Sequence, residues 1–267
     1  MYQQFFGFES TPFSKSIATP DVLDTPSLKE LSPRLGLVVK ERGIGLVTGD
    51  IGSGKSTAVR AFLSTLDPNK HVFFGLVAPI ASPGALYRTL LFALNQHPPF
   101  GAAAQIAALR TALADLVQTR KTPVIVIDEA HLLPPTLIDP LRTLLATDLD
   151  SKSLAALILI GQPDLKRMLQ WSTLQAFAQR VTTRAIVEPL SLEATLAYIR
   201  HHLKVAGYKH ESLFADDALR RIAEYAQGIP RRINQLGTAS LIAAAADKKQ
   251  IVDDTAVRRA INDIEQD

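Results

Sequence analysis

The sequence predicts an α/β fold, with a five-stranded parallel sheet followed by a small all-helical lid. Three observations predict it. Short apolar runs alternate with stretches of helical spacing as far as Pro189. One of those runs, Pro123–Ile127, is β-branched enough to imply a strand buried on both faces. Beyond Pro189 only helical spacing remains. Strands alternating with helices imply right-handed crossovers and a parallel sheet.

In chain order, the first thirty or so residues are rich in Phe, Ser, Thr and Pro. They read as an ordered extended arm, because Phe5, Phe6, Phe8 and Phe13 are costly to leave in water. Ser27–Arg42 reads as a helix interrupted at Pro33. The strands fall at Ile44–Thr48, His71–Val77, Pro123–Ile127, Leu154–Ile160 and Thr182–Val187. Between them, helices are expected over Ser56–Leu66 (stopped before Pro68), Ser82–Asn95, Ala102–Thr119 and Pro135–Asp148. Past a boundary at Pro189–Leu190 come Ser191–Ala206, Ala215–Gln227, Arg231–Ala246 and Asp253–Glu265. The expected organisation is an arm and helix over 1–43 packed on the core, an α/β domain over 44–189 and a helical lid over 190–267.

Composition narrows the class. With 267 residues, 47% hydrophobic and 21% charged, the chain can bury a sizeable core. It has no cysteine, hence no disulfide framework and no thiolate metal site. No apolar run approaches the roughly 20 residues that a membrane helix needs. The N-terminus lacks the basic and apolar regions of a secretory signal, so a cytoplasmic protein without membrane insertion is expected. From Leu190 onward the charges balance, eleven of each sign, so the net +3 lies wholly in residues 1–189. That excess suits an acidic partner, although an ordinary solvated surface explains it equally well.

GDIGSGKST, running through Gly49, Asp50, Ile51, Gly52, Ser53, Gly54, Lys55, Ser56 and Thr57, fits the phosphate-binding loop pattern. Glycines let backbone N–H groups turn inward around phosphates. Lys55 can reach the β- and γ-phosphates, the Ser56 hydroxyl can ligate Mg²⁺, and the next helix aims its positive end at the same anion. VIVIDEAH ends a buried strand with Asp128 and Glu129, at the edge where open α/β sheets bind ligands. Asp128 would hold the Mg²⁺ through water, and Glu129 would act as general base on the attacking water. His131 has the simpler explanation of satisfying local hydrogen bonds. In LILIGQPDL, Gln162 sits where it could contact the γ-phosphate or that water. Arg180 and Arg184 could each point at the nucleotide of a neighbouring subunit, with solvated surface as the alternative. Arg231, beside the Gly-Pro turn of GIPRRINQL, opens a helix where a cation is mildly disfavoured unless an anion is near.

These elements, in this order, resemble the AAA+ ATPases over essentially the whole chain. More narrowly, the opening FFGF…PF with DEAH, LIGQPDL and GIPRRINQL is similar to the ExeA-type ATPases, whose relatives include the transposition helpers of the TnsC, IstB and MuB kind. The resemblance implies strand order 5-1-4-3-2 and ATP with Mg²⁺ held between subunits of a hexameric ring or helical filament. It assigns Gln162 to sensor 1, Arg180 or Arg184 to the trans-acting finger and Arg231 to sensor 2, with Phe8 and Phe13 flanking the adenine or serving in core packing. Secretion-type members continue into a membrane helix and a cell-wall-binding region, and the present sequence stops after the lid. The expected function is therefore that of a transposition regulator. It would assemble with ATP on double-stranded DNA through the phosphates, with Arg88, Arg120 and Lys121 as candidate contacts, and recruit a transposase. The alternative is an ATPase serving secretion-system assembly.

Overall fold

The computed structural model describes residues 2–147, 152–210 and 212–266. Two units emerge from the chain, one comprising Pro26–Gly49 and Ala58–Val187, the other Met1–Thr25, Asp50–Thr57 and Glu188–Asp267.

The first unit is built on a parallel sheet of β1 (Ile44–Gly49), β2 (His71–Val77), β3 (Thr122–Asp128), β4 (Ala156–Gly161) and β5 (Val181–Val187). Their spatial order, β2-β3-β4-β1-β5, is the implied 5-1-4-3-2 read from the other edge. Both faces of the sheet are covered. Leu46, Ile125, Ile127, Leu157 and Leu159 point to one hydrophobic layer, while Val47, Val124, Val126, Ile158 and Ile160 point to another. Successive strand residues face opposite sides, which is why Pro123–Ile127 is apolar without alternation. The three inner strands finish at Gly49, Asp128 and Gly161, so chemistry-bearing residues collect at one edge of the sheet.

The sequence-predicted helices are present with small shifts. They are preceded by α1 (Tyr2–Phe6), where an extended arm was expected, and begin with α2 (Pro26–Glu41), which runs unbroken through the interruption expected at Pro33. α3 (Lys55–Ser64), α4 (Pro83–Ala93) and α5 (Ala102–Gln118) come next. Ser82 caps α4 by accepting the Ala85 N–H at 3.2 Å, and a proline fills its first turn. α6 (Pro135–Leu145) ends before the expected Asp148, which lies outside the described residues, because the chain enters a two-residue ladder pairing Ala146–Thr147 with Lys152–Ser153. Two short helices the sequence did not suggest, α7 (Pro163–Met168) and α8 (Gln175–Ala178), precede β5.

The second unit contains α9 (Leu192–Val205), α10 (Asp216–Ala226), α11 (Pro230–Ala246) and α12 (Asp254–Gln266) around its own apolar core. The expected placement of residues 1–43 is corrected here. Only α2 belongs with the sheet, and residues up to Thr25 join the helical unit. The reason is apolar. Phe6 and Phe13 are buried in the helical core, and Phe5 and Phe8 pack beside them. Phe13 stacks on His202 with centroids 5.7 Å apart, and Phe8 lies 5.7 Å from Tyr208. Polar contacts tie down the same arm. Glu9 N–H donates to Ala206 O at 2.9 Å, and His201 Nε2 lies 2.6 Å from Asp21 O.

Burial of His202 among Phe13, Tyr198 and Leu203 pushes its imidazole pKa down to about 4, with neighbouring His201 adding to the effect. The folded state therefore favours the neutral ring. Stability is fully present above the unfolded value of 6.5 and falls as the pH drops toward about 4, by roughly 3 kcal/mol in all. His202→Leu should remove this part of the acid sensitivity. Urea melts of both proteins above and below the window test it, and parallel losses of stability would contradict it.

Candidate nucleotide site

The loop Asp50–Thr57 leaves the end of β1 and runs into α3. Gly52 and Gly54 adopt φ of +80° and +93°, conformations that glycine enters without strain. Gly52 is also a point of closest approach. A Cβ built there would stand 2.7 Å from Arg231 Cβ, and the Arg231 N–H donates to Gly52 O at 3.2 Å. The first turn of α11 thus rests directly on the loop. Lys55 is buried, and its Nζ donates to Asp50 O at 2.7 Å. Ser56 is exposed at the start of α3, and Arg231 and Arg232 are exposed at the start of α11.

At the sheet edge, Asp128 Oδ1 accepts the Glu129 N–H at 2.8 Å. Glu129 itself takes a left-handed backbone, φ 52°, which is uncommon for a non-glycine residue and typical of functional turns. That turn sends the chain into a short 3₁₀ segment, Ala130–Leu132, whose Ala130 is fully buried. His131 Nδ1 then stands 3.5 Å from Glu129 Oε2 and 3.4 Å from the Gln162 backbone nitrogen. Gln162 follows β4 directly and begins α7. Gly161 makes the approach possible, since a side chain there would meet Leu165 at 2.9 Å and the His131 backbone at 3.3 Å. Sequence reading left His131 as a local hydrogen-bonding residue. Glu129 lies in the same turn, whereas Gln162 reaches the ring through the pairing of β3 with β4.

The residues fit a nucleotide and its metal. Ser53 Oγ is buried within the loop without a hydrogen-bond partner, an arrangement that costs about 1–3 kcal/mol unless a ligand satisfies it. Among the described residues no group of three His, Cys, Asp or Glu could hold a metal by itself. A hydroxyl such as that of Ser56 and a carboxylate such as that of Asp128 are each, taken singly, the ligand types that Mg²⁺ accepts alongside substrate phosphates.

The remaining predicted positions are scattered. Phe13 is buried beside His202 and Phe8 is half-buried against Tyr208. Arg180 is exposed in the turn after α8. Arg184 lies on the edge strand β5, where its Nη2 donates to Ala178 O at 2.9 Å. Arg88 is exposed on α4, whereas Arg120 and Lys121 precede β3 at the sheet edge opposite Asp128.

Sheet order, glycine loop and the Asp-Glu pair together are those of the AAA+ P-loop fold. Comparison with known proteins agrees. Residues 39–169 match the family model described as an AAA domain. General secretion pathway protein A of Aeromonas hydrophila is 33% identical over 260 residues, which cover 92% of this chain and 45% of that protein. The chain thus spans less than half the length of that relative. Cdc6p from Pyrobaculum aerophilum superposes with a TM-score of 0.71 at 18% identity, over 94% of this chain and 70% of its own. The Aeropyrum pernix ORC1 protein, solved in complex with DNA, gives 0.70 at 18% identity, over 95% and 69%. At such identities these two structures share the fold. Among the described residues, no helix is long and apolar enough to cross a membrane.

Gly52→Ala tests the loop directly. Strain at a positive φ and the clash with Arg231 should lower stability by about 1–3 kcal/mol and weaken ATP binding at least about tenfold. Calorimetric titration and thermal melts measure the two effects.

Proposed function

We propose that this chain is an ATP-driven switch that works as an assembly of copies in the cytoplasm, its helical lid reporting whether the γ-phosphate is present. The observation that supports this most is the seating of Arg231 on Gly52, which joins the first lid turn after Gly228 to the phosphate loop. Lys55 would neutralise the β- and γ-phosphates, while the Ser53 hydroxyl and the loop amides would donate to oxygens of the tail. Ser56 and Asp128 would hold Mg²⁺, which when bound neutralises charge on the phosphate oxygens. Glu129 takes the proton of the attacking water, Gln162 orients that water, and Arg231 senses the γ-phosphate. Arg180 or Arg184 of a neighbouring copy would stabilise the developing charge in trans. Arg180 is favoured by its place at the sheet rim, directly after α8.

In the first reading of its client, the assembly coats double-stranded DNA through phosphate contacts and recruits a transposase, with hydrolysis releasing it. The positive excess in residues 1–189 and the fold shared with a DNA-bound ORC1 protein support it. Arg88, Arg120 and Lys121 are its candidate contacts. The second reading, assembly of a secretion system, is favoured by the 33% identity with general secretion pathway protein A.

Lys55→Ala should abolish nucleotide binding, whereas Glu129→Gln should bind ATP and fail to turn it over. Normal hydrolysis by Glu129→Gln would remove Glu129 as the base. Negative-stain microscopy with duplex DNA and a non-hydrolysable ATP analogue separates the two clients. Filaments or rings on DNA support transposition, and rings indifferent to DNA support secretion. Arg88→Ala should weaken DNA binding uniformly across sequences and reduce its salt dependence by about one counterion.

A further inference from the structure

One ring nitrogen faces two groups of the site. His131 Nδ1 lies 3.4 Å from the Gln162 backbone nitrogen and 3.5 Å from Glu129 Oε2. These contacts need opposite forms of the imidazole. With its proton on Nε2, the ring offers the Nδ1 lone pair to the Gln162 N–H. With its proton on Nδ1, it donates to the Glu129 carboxylate and leaves that N–H unpaired. The contacts are therefore alternatives, and each excludes the other.

Their surroundings decide which group moves. The His131 side chain is 9% exposed, while that of Glu129 is 44% exposed. The ring is held by the 3₁₀ segment and by the close approach at Gly161, so the carboxylate is the free end of the pair. A carboxylate drawn to an imidazole N–H is aimed away from water and is the weaker base for it.

We propose that His131 is a positioning residue for ATP hydrolysis, exchanging its Nδ1 between Gln162 and Glu129. While the start of α7 keeps its N–H on the ring, Glu129 is released to address water. When that segment withdraws, Nε2 gives its proton to solvent while Nδ1 takes one from solvent, and the still neutral ring captures the carboxylate. The device ties the base to the segment that carries Gln162, 31 residues away in sequence. It rests on the reading of Glu129 as the base.

Two substitutions test it in the full chain, by steady-state ATPase assay and by binding of a fluorescent ATP analogue. His131→Leu cannot capture Glu129 and should raise basal kcat at least about tenfold, the order expected for losing one charge-assisted hydrogen bond. KM and analogue affinity should stay unchanged. His131→Asn keeps a donor or acceptor near the Nδ1 position and should restore the wild-type rate. A lower or unchanged kcat in His131→Leu, or equal rates in both variants, overturns the proposal. Glu129→Gln and the Glu129→Gln/His131→Leu double variant should both be inert. Activity in either would count against Glu129 as base, a separate failure.

Discussion

A loop that must wrap an anion with its backbone has few ways to turn, and at Gly52 this one turns onto another element. The carbonyl accepts the Arg231 N–H, and the α-carbon leaves no space for a side chain. Residues Asp50–Thr57 group with the helices of the lid although they follow β1 directly and include the first turn of α3. The buried, unpartnered Ser53 Oγ and the buried Lys55 lie in the same stretch. A ligand that satisfies the first and charge-pairs the second is bound by groups whose desolvation has already been met in folding.

The second demand is placed on the sheet. Parallel strands buried on both faces carry no polar residues along their length, so their chemistry is confined to their ends. Asp128, Glu129 and Gln162 occupy such ends. The left-handed turn at Glu129 and the absence of a side chain at Gly161 bring their segments within reach of one histidine. Strain in the turn and bareness of the glycine serve the same geometry.

Much of this was legible in the sequence because the signals are local. Val124–Ile127 announces a doubly buried strand by its β-branching, and the loop's glycine spacing is dictated by phosphate geometry, so strand and loop could both be anticipated, whereas the strand order was implied by the resemblance to the AAA+ ATPases. Signals that depend on a distant partner were not legible. The phenylalanines of the arm declare that they are buried but not against what, and they join α9 and α11 instead of the sheet. Nothing near His131 in the chain reveals Gln162, which reaches it only through the pairing of β3 with β4. The two-residue ladder after α6 is too short to carry any periodicity.

If the lid reads the nucleotide through the residue seated on the loop, its arginine should distinguish ATP from ADP. The most direct measurement is calorimetric affinity for both nucleotides in the wild type and in Arg231→Ala. The account predicts that the variant keeps its ADP affinity and loses about tenfold or more for ATP. Equal ATP and ADP affinities relative to the wild type, both unchanged, would contradict it.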